Sequence, residues 1–148
     1  HTLSKSRPTR GKAVITGFSQ GGVLSFVVAF RHPDSVSTAI PVGGILPEEI
    51  KQPPVEQQGP PPVVRALHGE DDRLVEYARS QASVARLKKL GIDATLKSFP
   101  GVAHRIPPAM RKALYNLLKQ ALREKPILLF YLLKPEPRSP EIQLWRTA

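Results

Sequence analysis

Residues 12–22 read KAVITGFSQGG, and this stretch indicates the class of fold. Its first five residues form a short, mostly apolar run between two glycines, which predicts a buried strand at 12–16. The mostly apolar segment VLSFVVAFRH at 23–32 has helical length, and Pro33 ends it. The stretch therefore predicts a strand, a glycine-rich turn that carries Ser19, and a largely buried helix.

The remainder of the chain continues this alternation of strands and helices. Apolar runs and alternating patterns predict strands, and the helical spacing of apolar residues predicts helices. The predicted strands are 36–42, 62–67 and 94–99, the predicted helices are 76–90 and 108–122, and a proline-rich loop occupies 47–62. Strands separated by helices pair in parallel, so we expect an α/β fold with a mostly parallel sheet flanked by helices.

The length of 148 residues fits one domain and leaves no room for two of ordinary size. We assign residues 1–10 to a basic N-terminal tail or loop, 11–123 to the α/β domain, and 124–148 to a proline-rich tail. The tail contains the apolar run ILLFYLL at 127–133, which is too short to span a bilayer. Two interpretations of this run stay open: an extra element packed on the domain, or an exposed contact with another chain or a membrane surface.

Composition and charge exclude several classes of protein. The chain has no cysteine, which excludes disulfides and thiolate metal sites. Its 22 Lys and Arg against 12 Asp and Glu give a formal charge of +10, which attracts anions. These basic residues are scattered and not interleaved with aromatic residues, so we expect no nucleic-acid partner. The chain lacks an apolar run of about 20 residues and a signal-peptide pattern, so we expect no transmembrane segment and a cytoplasmic location.

Residues 17–21, GFSQG, match the pattern G-x-S-x-G between a predicted strand and a predicted helix. In that position a serine projects its hydroxyl above the sheet, and the flanking glycines let the neighbouring backbone pass closely. The helix that follows points its N-terminus at the site, which favours negative charge there. The alternative is an incidental serine in a glycine-rich turn, so a nucleophilic Ser19 also needs a base and an orienting acid.

Asp72 and His104 are the candidate acid and base. Each follows a predicted strand, and the chain order Ser, Asp, His is the one that this kind of strand-turn-helix serine site uses. Parallel strands place all three loops at one edge of the sheet. The rival bases are His32, which we interpret as a helix-capping residue, His68, which we interpret as structural, and His1 in the tail; the rival acids are Glu70 and Asp71.

A metal site is a further alternative at the same edge of the sheet. The residues that would hold a divalent cation are His68, Glu70, Asp72 and His104. Their spacing fits no metal motif, and a metal site would leave the serine turn unexplained. We therefore expect no bound metal.

Three segments together resemble the signature blocks of the phospholipase/carboxylesterase family, which includes the acyl-protein thioesterases. They are GFSQGG at 17–22, HGEDDRLV at 68–75 and GVAH at 101–104, and the resemblance runs from about residue 11 to residue 122. It implies an α/β-hydrolase fold and a serine hydrolase that needs no cofactor. By this resemblance Ser19 is the nucleophile, Asp72 the orienting acid and His104 the general base, and Gln20 gives its backbone N–H to the oxyanion hole. The implied substrate is an acyl ester or thioester, such as a lipidated protein or a lysophospholipid.

The chain departs from this family before the serine. The family has several strands there, whereas only about ten residues precede the first predicted strand here. The chain therefore resembles only the C-terminal half or so of such an enzyme, a partial α/β-hydrolase fold with the early strands missing. The loop that supplies the second oxyanion donor is lost with those strands, so we expect weak activity.

The missing strands also leave one edge of the strand at 12–16 without its usual neighbour. An unpaired apolar edge attracts another strand. We expect either the run at 127–133 to pair there or the chain to self-associate through that edge. An alternative function is an inactive hydrolase remnant that binds an acidic partner through its basic charge.

Overall fold

The computed structural model describes residues 12–52 and 59–124, together with the backbone of 127–132 and 141–146. Its elements, in chain order, are β1 (Ala13–Phe18), α1 (Gln20–Arg31), β2 (Val36–Val42), β3 (Val63–Gly69), α2 (Tyr77–Lys89), β4 (Ala94–Phe99), α3 (Pro108–Glu124), β5 (Ile127–Leu132) and β6 (Glu141–Arg146). The predicted tail at 1–10, and residues 53–58 of the predicted loop, lie outside the described residues.

The strands form one six-stranded sheet in the order β4-β3-β2-β1-β5-β6. The first five strands in this order, from β4 to β5, are all parallel to one another. The sixth strand, β6, pairs antiparallel with β5. The predicted α/β class and mostly parallel sheet are therefore confirmed. Because β1, β3 and β4 run in the same direction, the loops that follow them emerge at the same edge of the sheet.

The turn between β1 and α1 is tighter than the sequence pattern predicts. β1 continues past its predicted end at residue 16, and α1 begins before its predicted start at residue 23, so that Ser19 alone makes the turn. The adjacent glycine pair lies in the first turn of α1 and not in a loop. The reason is close packing of the helix on the sheet, since a Cβ on Gly22 would lie 2.6 Å from the carbonyl oxygen of Val42.

Side chains fill both faces of the sheet. α1 and α2 cover one face, where the buried cluster is Ile15, Phe26, Ala29, Phe30, Val36, Ala39, Leu46, Val64, Ala66, Val84, Leu87 and Ala94. α3 covers the other face, where the buried cluster is Ile40, Val42, Leu67, Phe99 and Met110. Successive residues of one strand, such as Ala39 and Ile40, enter different clusters, as the two-residue period of a strand requires. Burial on both faces explains why these strands are nearly continuous apolar runs.

β5 lies beside β1, on the side away from β2. The two strands pair in parallel, with Val14 opposite Leu128 and Gly17 opposite Tyr131. The structure thus shows the first of the two expected outcomes for the apolar run, which is pairing within the same chain. Self-association stays a prediction.

No helix among the described residues is long and apolar enough to cross a membrane. The cytoplasmic location stays a prediction.

Candidate active site

Ser19 occupies a strained backbone conformation between β1 and α1. Its φ is 60° and its ψ is −113°, and it is the only non-glycine residue with positive φ in the described parts of the chain. The backbone holds it there, since its N–H donates to the carbonyl oxygen of Val42 at 2.9 Å and its own carbonyl oxygen accepts from the N–H of Val23 at 3.0 Å. Such strain persists only where the surrounding structure enforces it, and it is frequent at functional sites.

The glycines around Ser19 make this turn possible. A Cβ on Gly17 would lie 2.6 Å from the backbone carbonyl of Gly21, well inside contact distance. Gly22 and Gly44 are similarly close, because a Cβ on Gly44 would collide with the backbone of Gly22. These close approaches bring the first turn of α1 down onto the carboxyl ends of β1 and β2 and leave the Ser19 hydroxyl above the edge of the sheet.

The structure brings Ser19, His104 and Asp72 into one chain of hydrogen bonds. The distance from Ser19 Oγ to His104 Nε2 is 2.9 Å, and the distance from His104 Nδ1 to Asp72 Oδ2 is 2.7 Å. A carboxylate can only accept, so Nδ1 of the imidazole carries the proton and Nε2 accepts from the serine hydroxyl. These are the contacts that the sequence led us to expect, and the arrangement allows a proton to move from Ser19 to His104.

The carboxyl group of Asp72 is almost fully buried, with the residue 5% exposed. Its second oxygen, Oδ1, accepts from the backbone N–H groups of Leu74 at 3.0 Å and Val75 at 2.8 Å. Hydrogen bonds from two N–H donors and the imidazole satisfy a carboxylate that would otherwise be costly to bury. The tight turn at 72–75, which we call the acid turn, therefore fixes the direction in which Asp72 faces His104.

Comparison with known proteins places this chain in a family. The phospholipase/carboxylesterase family model matches residues 1–122. The chain belongs to the phospholipase/carboxylesterase family. Carboxylesterase SOBER1 of Arabidopsis thaliana is 30% identical over 112 residues, which make up 74% of this chain and 48% of that protein. Acyl-protein thioesterase 1 of Gibberella zeae is 29% identical over 120 residues, 77% of this chain and 50% of that protein. The chain thus spans about half the length of the curated relatives it matches.

Solved structures of other proteins have folds similar to that of this chain. The crystal structure of esterase PE8 has a TM-score of 0.64 to this chain at 24% identity, covering 80% of this chain and 54% of the esterase. The crystal structure of Arabidopsis thaliana SOBER1 has a TM-score of 0.59 at 27% identity, covering 74% of this chain and 52% of its own. The chain therefore has a partial α/β-hydrolase fold, as the sequence predicted.

Phe18, which the sequence analysis did not single out, contacts His104, and Gly43 lies close to both rings. The ring of Phe18 stacks on the imidazole, with ring centroids 4.8 Å apart and planes inclined by 28°. Gly43 has a positive φ of 59°, and a Cβ on it would lie 3.1 Å from the Phe18 ring and 3.7 Å from Cε1 of His104. The stacked ring limits the orientations of His104. The only sequence signal for Phe18 was its place beside the serine in G-x-S-x-G.

The rival residues that the structure describes form no hydrogen bond with the Ser19 hydroxyl, whose partner is His104. His32 is exposed at the end of α1, and Glu70 and Asp71 are exposed beside the acid turn. His68 is fully buried, and its Nε2 lies 2.7 Å from the carbonyl oxygen of Val75. Burial lowers the pKa of His68 below its ordinary value and outweighs the opposing effects of the Val75 carbonyl and Asp72. The remaining rival, His1, lies outside the described residues.

The residues considered above as a metal site, His68, Glu70, Asp72 and His104, all lie within the described part of the chain. Among the residues that the structure describes, no group of three or more His, Asp or Glu side chains is placed to hold a metal ion. His104 and Asp72 contact each other through the atoms that would otherwise serve as ligands.

The backbone N–H of Gln20 lies at the start of α1, directly after Ser19. An N–H group in the first turn of a helix has no acceptor within the helix. The N–H of Ser19 itself is already bonded to Val42, so it is not free for a ligand. Of these two donors, Gln20 is the one whose N–H has no acceptor within the helix, and its role as an oxyanion donor, which the family resemblance implies, stays a prediction.

Proposed function

We propose that this chain is a serine hydrolase of carboxylic esters or thioesters that acts through an acyl-enzyme on Ser19. The observation that carries the proposal is the chain of hydrogen bonds from Ser19 Oγ to His104 Nε2 and from His104 Nδ1 to Asp72. A strained serine turn at a helix N-terminus supports it, and so does membership of the phospholipase/carboxylesterase family.

The reaction follows from the protonation states at the site. Ser19 Oγ attacks the acyl carbonyl carbon while His104 Nε2 accepts the hydroxyl proton. Asp72 stabilises the imidazolium that forms, and the N–H of Gln20 donates to the oxyanion. His104 then returns the proton to the leaving alcohol or thiol as the carbon–oxygen or carbon–sulfur bond breaks. In the second half, His104 accepts a proton from water as the water oxygen bonds to the acyl carbon, and it then gives that proton to Ser19 Oγ as the bond between the acyl carbon and Oγ breaks and the carboxylic acid leaves.

The substrate class is taken from the chemistry of the site and the names of relatives. Relatives include a carboxylesterase, an acyl-protein thioesterase and mouse lysophospholipase-like protein 1. A lipidated protein or a lysophospholipid is therefore the substrate class we propose. Among the described residues we assign one oxyanion donor, the N–H of Gln20, and loss of one donor costs about 10²–10³ in turnover, so we expect slow turnover by these residues alone.

Hydrolysis of a short p-nitrophenyl ester and of an acyl thioester tests the proposal. We expect slow turnover of at least one substrate by the wild-type chain and none above background by Ser19→Ala. Ser35→Ala is the matched control, because Ser35 is exposed on the turn after α1, and it should retain wild-type turnover. A folded wild-type chain with no Ser19-dependent turnover of either substrate would contradict the proposal and favour the inactive, anion-binding alternative.

A further inference from the structure

His68 is a buried titratable residue beside the site that the proposed hydrolysis does not use. It lies near the end of β3 and is 0% exposed. Its Nε2 is 2.7 Å from the carbonyl oxygen of Val75 and 3.5 Å from Oδ2 of Asp72. The first distance is a good hydrogen bond, whereas the second is too long for one. The His68 ring therefore contacts the acid turn through the backbone carbonyl of Val75 and not through the Asp72 carboxylate.

Val75 connects His68 with Asp72. The N–H of Val75 donates to Asp72 Oδ1 at 2.8 Å, and its carbonyl oxygen accepts from His68. The residue is thus held on both sides, once by the acid and once by the buried imidazole. Because Asp72 Oδ2 accepts from His104, a shift of Val75 would change the direction in which Asp72 faces His104.

The protonation state of His68 follows from its partners. A carbonyl oxygen can only accept, so Nε2 carries the proton in the neutral ring. The other ring nitrogen, Nδ1, is buried without a partner among the described residues. Burial lowers the pKa of His68, which favours the neutral ring at neutral pH. A neutral His68 donates its Nε2–H to the Val75 carbonyl oxygen. It carries no positive charge that would compete with a protonated His104 for the negative charge of Asp72.

We propose that His68 is a positioning residue, whose Nε2–H holds the Val75 carbonyl and thereby fixes Asp72 in the orientation that aligns His104 with Ser19. The effect of His68 on kcat rests on the proposed hydrolase function, whereas the effect of His68 on the orientation of the His104 ring does not. A merely structural histidine would be replaceable by any side chain that fills the same space. A positioning residue requires a donor at the place of Nε2.

The experiment compares His68→Gln with His68→Leu. The glutamine amide places a donor near the position of Nε2, whereas leucine fills similar space without a donor. Loss of a buried hydrogen bond in the acid turn should lower kcat for a p-nitrophenyl ester roughly tenfold or more in His68→Leu, with little change in KM. His68→Gln should restore kcat to near the wild-type value. His32→Gln, which makes the same change at an exposed histidine, should have no effect.

Imidazole NMR gives a readout that does not depend on turnover. The chain has four histidines, so the His104 Nδ1–H resonance can be assigned by elimination with single variants. We expect this resonance to shift or broaden in His68→Leu and to recover in His68→Gln. If the wild type shows no Ser19-dependent turnover, the hydrolase proposal fails, and the NMR comparison still decides the role of His68.

Two results would overturn the role of His68. One is a folded His68→Leu variant with wild-type kcat and an unchanged His104 resonance. The other is a His68→Gln variant as impaired as His68→Leu, because the donor would then not be what matters. If His68→Leu fails to fold, His68→Asn replaces it, since its amide is polar but too short to reach Val75, and it should show the same losses.

Discussion

Replacing Asp72 by asparagine should reverse the direction of the hydrogen bond to His104. Oδ1 of Asp72 accepts from two backbone N–H groups, so an asparagine has to place its carbonyl oxygen there. Its NH₂ group then takes the place of Oδ2, 2.7 Å from His104 Nδ1. Because an NH₂ group can only donate, Nδ1 has to lose its proton, and the neutral ring carries it on Nε2, facing Ser19. In that tautomer His104 cannot accept the serine proton.

The size of the effect follows from the loss of the base. A wrong tautomer in an otherwise intact Ser-His-Asp site costs about 10⁴ in kcat, which corresponds to about 5 kcal/mol of activation free energy. The fold should persist, because both backbone bonds to residue 72 keep an acceptor. The assay is ester turnover together with urea unfolding, with Asp71→Asn as the control because Asp71 is exposed. A folded Asp72→Asn variant that keeps a tenth or more of wild-type turnover would refute this reasoning.

Further predictions concern the turn, the buried histidine and the tail. Gly22→Ala would force a Cβ to within 2.6 Å of the Val42 carbonyl oxygen, so urea unfolding should show a loss of about 1–3 kcal/mol or more in unfolding free energy. The pKa of His68 is lowered in the folded chain, so the unfolded chain binds the extra proton first, and the unfolding free energy should fall as pH drops below about 6.5. That slope should become shallower in His68→Gln, and an unchanged slope would contradict the buried neutral imidazole. Truncation after residue 124 removes β5 and bares one edge of β1, so light scattering should detect self-association, whereas a stable truncated monomer would show that this edge needs no partner.

The positions of the three candidate catalytic residues were predictable from the sequence because each follows a strand with a strong apolar pattern. Parallel strands share a carboxyl edge, so the order of the elements predicted that the loops of Ser19, Asp72 and His104 lie at one edge of the sheet, whereas the roles of these residues among their rivals were implied by the family resemblance. The pairing of the apolar tail run was predictable only as one of two outcomes. An apolar strand can satisfy its backbone within the chain or with another chain, and the sequence does not choose between them.

The details that the sequence did not reveal arise where loops pack against one another. The turn at Ser19 is one residue wide because α1 approaches β2 at Gly22, a contact between segments far apart in the chain. The stacking of Phe18 on His104 and the bond from His68 to Val75 also depend on loop conformations that no periodic pattern encodes. His68 was interpreted as structural from the sequence, and its hydrogen bond to the Val75 carbonyl oxygen emerged only from the distances.

Covalent labelling with a fluorophosphonate probe tests the central claim most directly, because the probe reacts with a serine that a neighbouring imidazole activates. Ser19 Oγ and His104 Nε2 are 2.9 Å apart in the free chain, so the pair is assembled without a substrate. Peptide mapping by mass spectrometry should find the phosphonyl adduct on Ser19 in the wild type and no adduct in folded His104→Ala. A folded wild-type chain that takes up no label, or an adduct on a serine other than Ser19, would contradict the account.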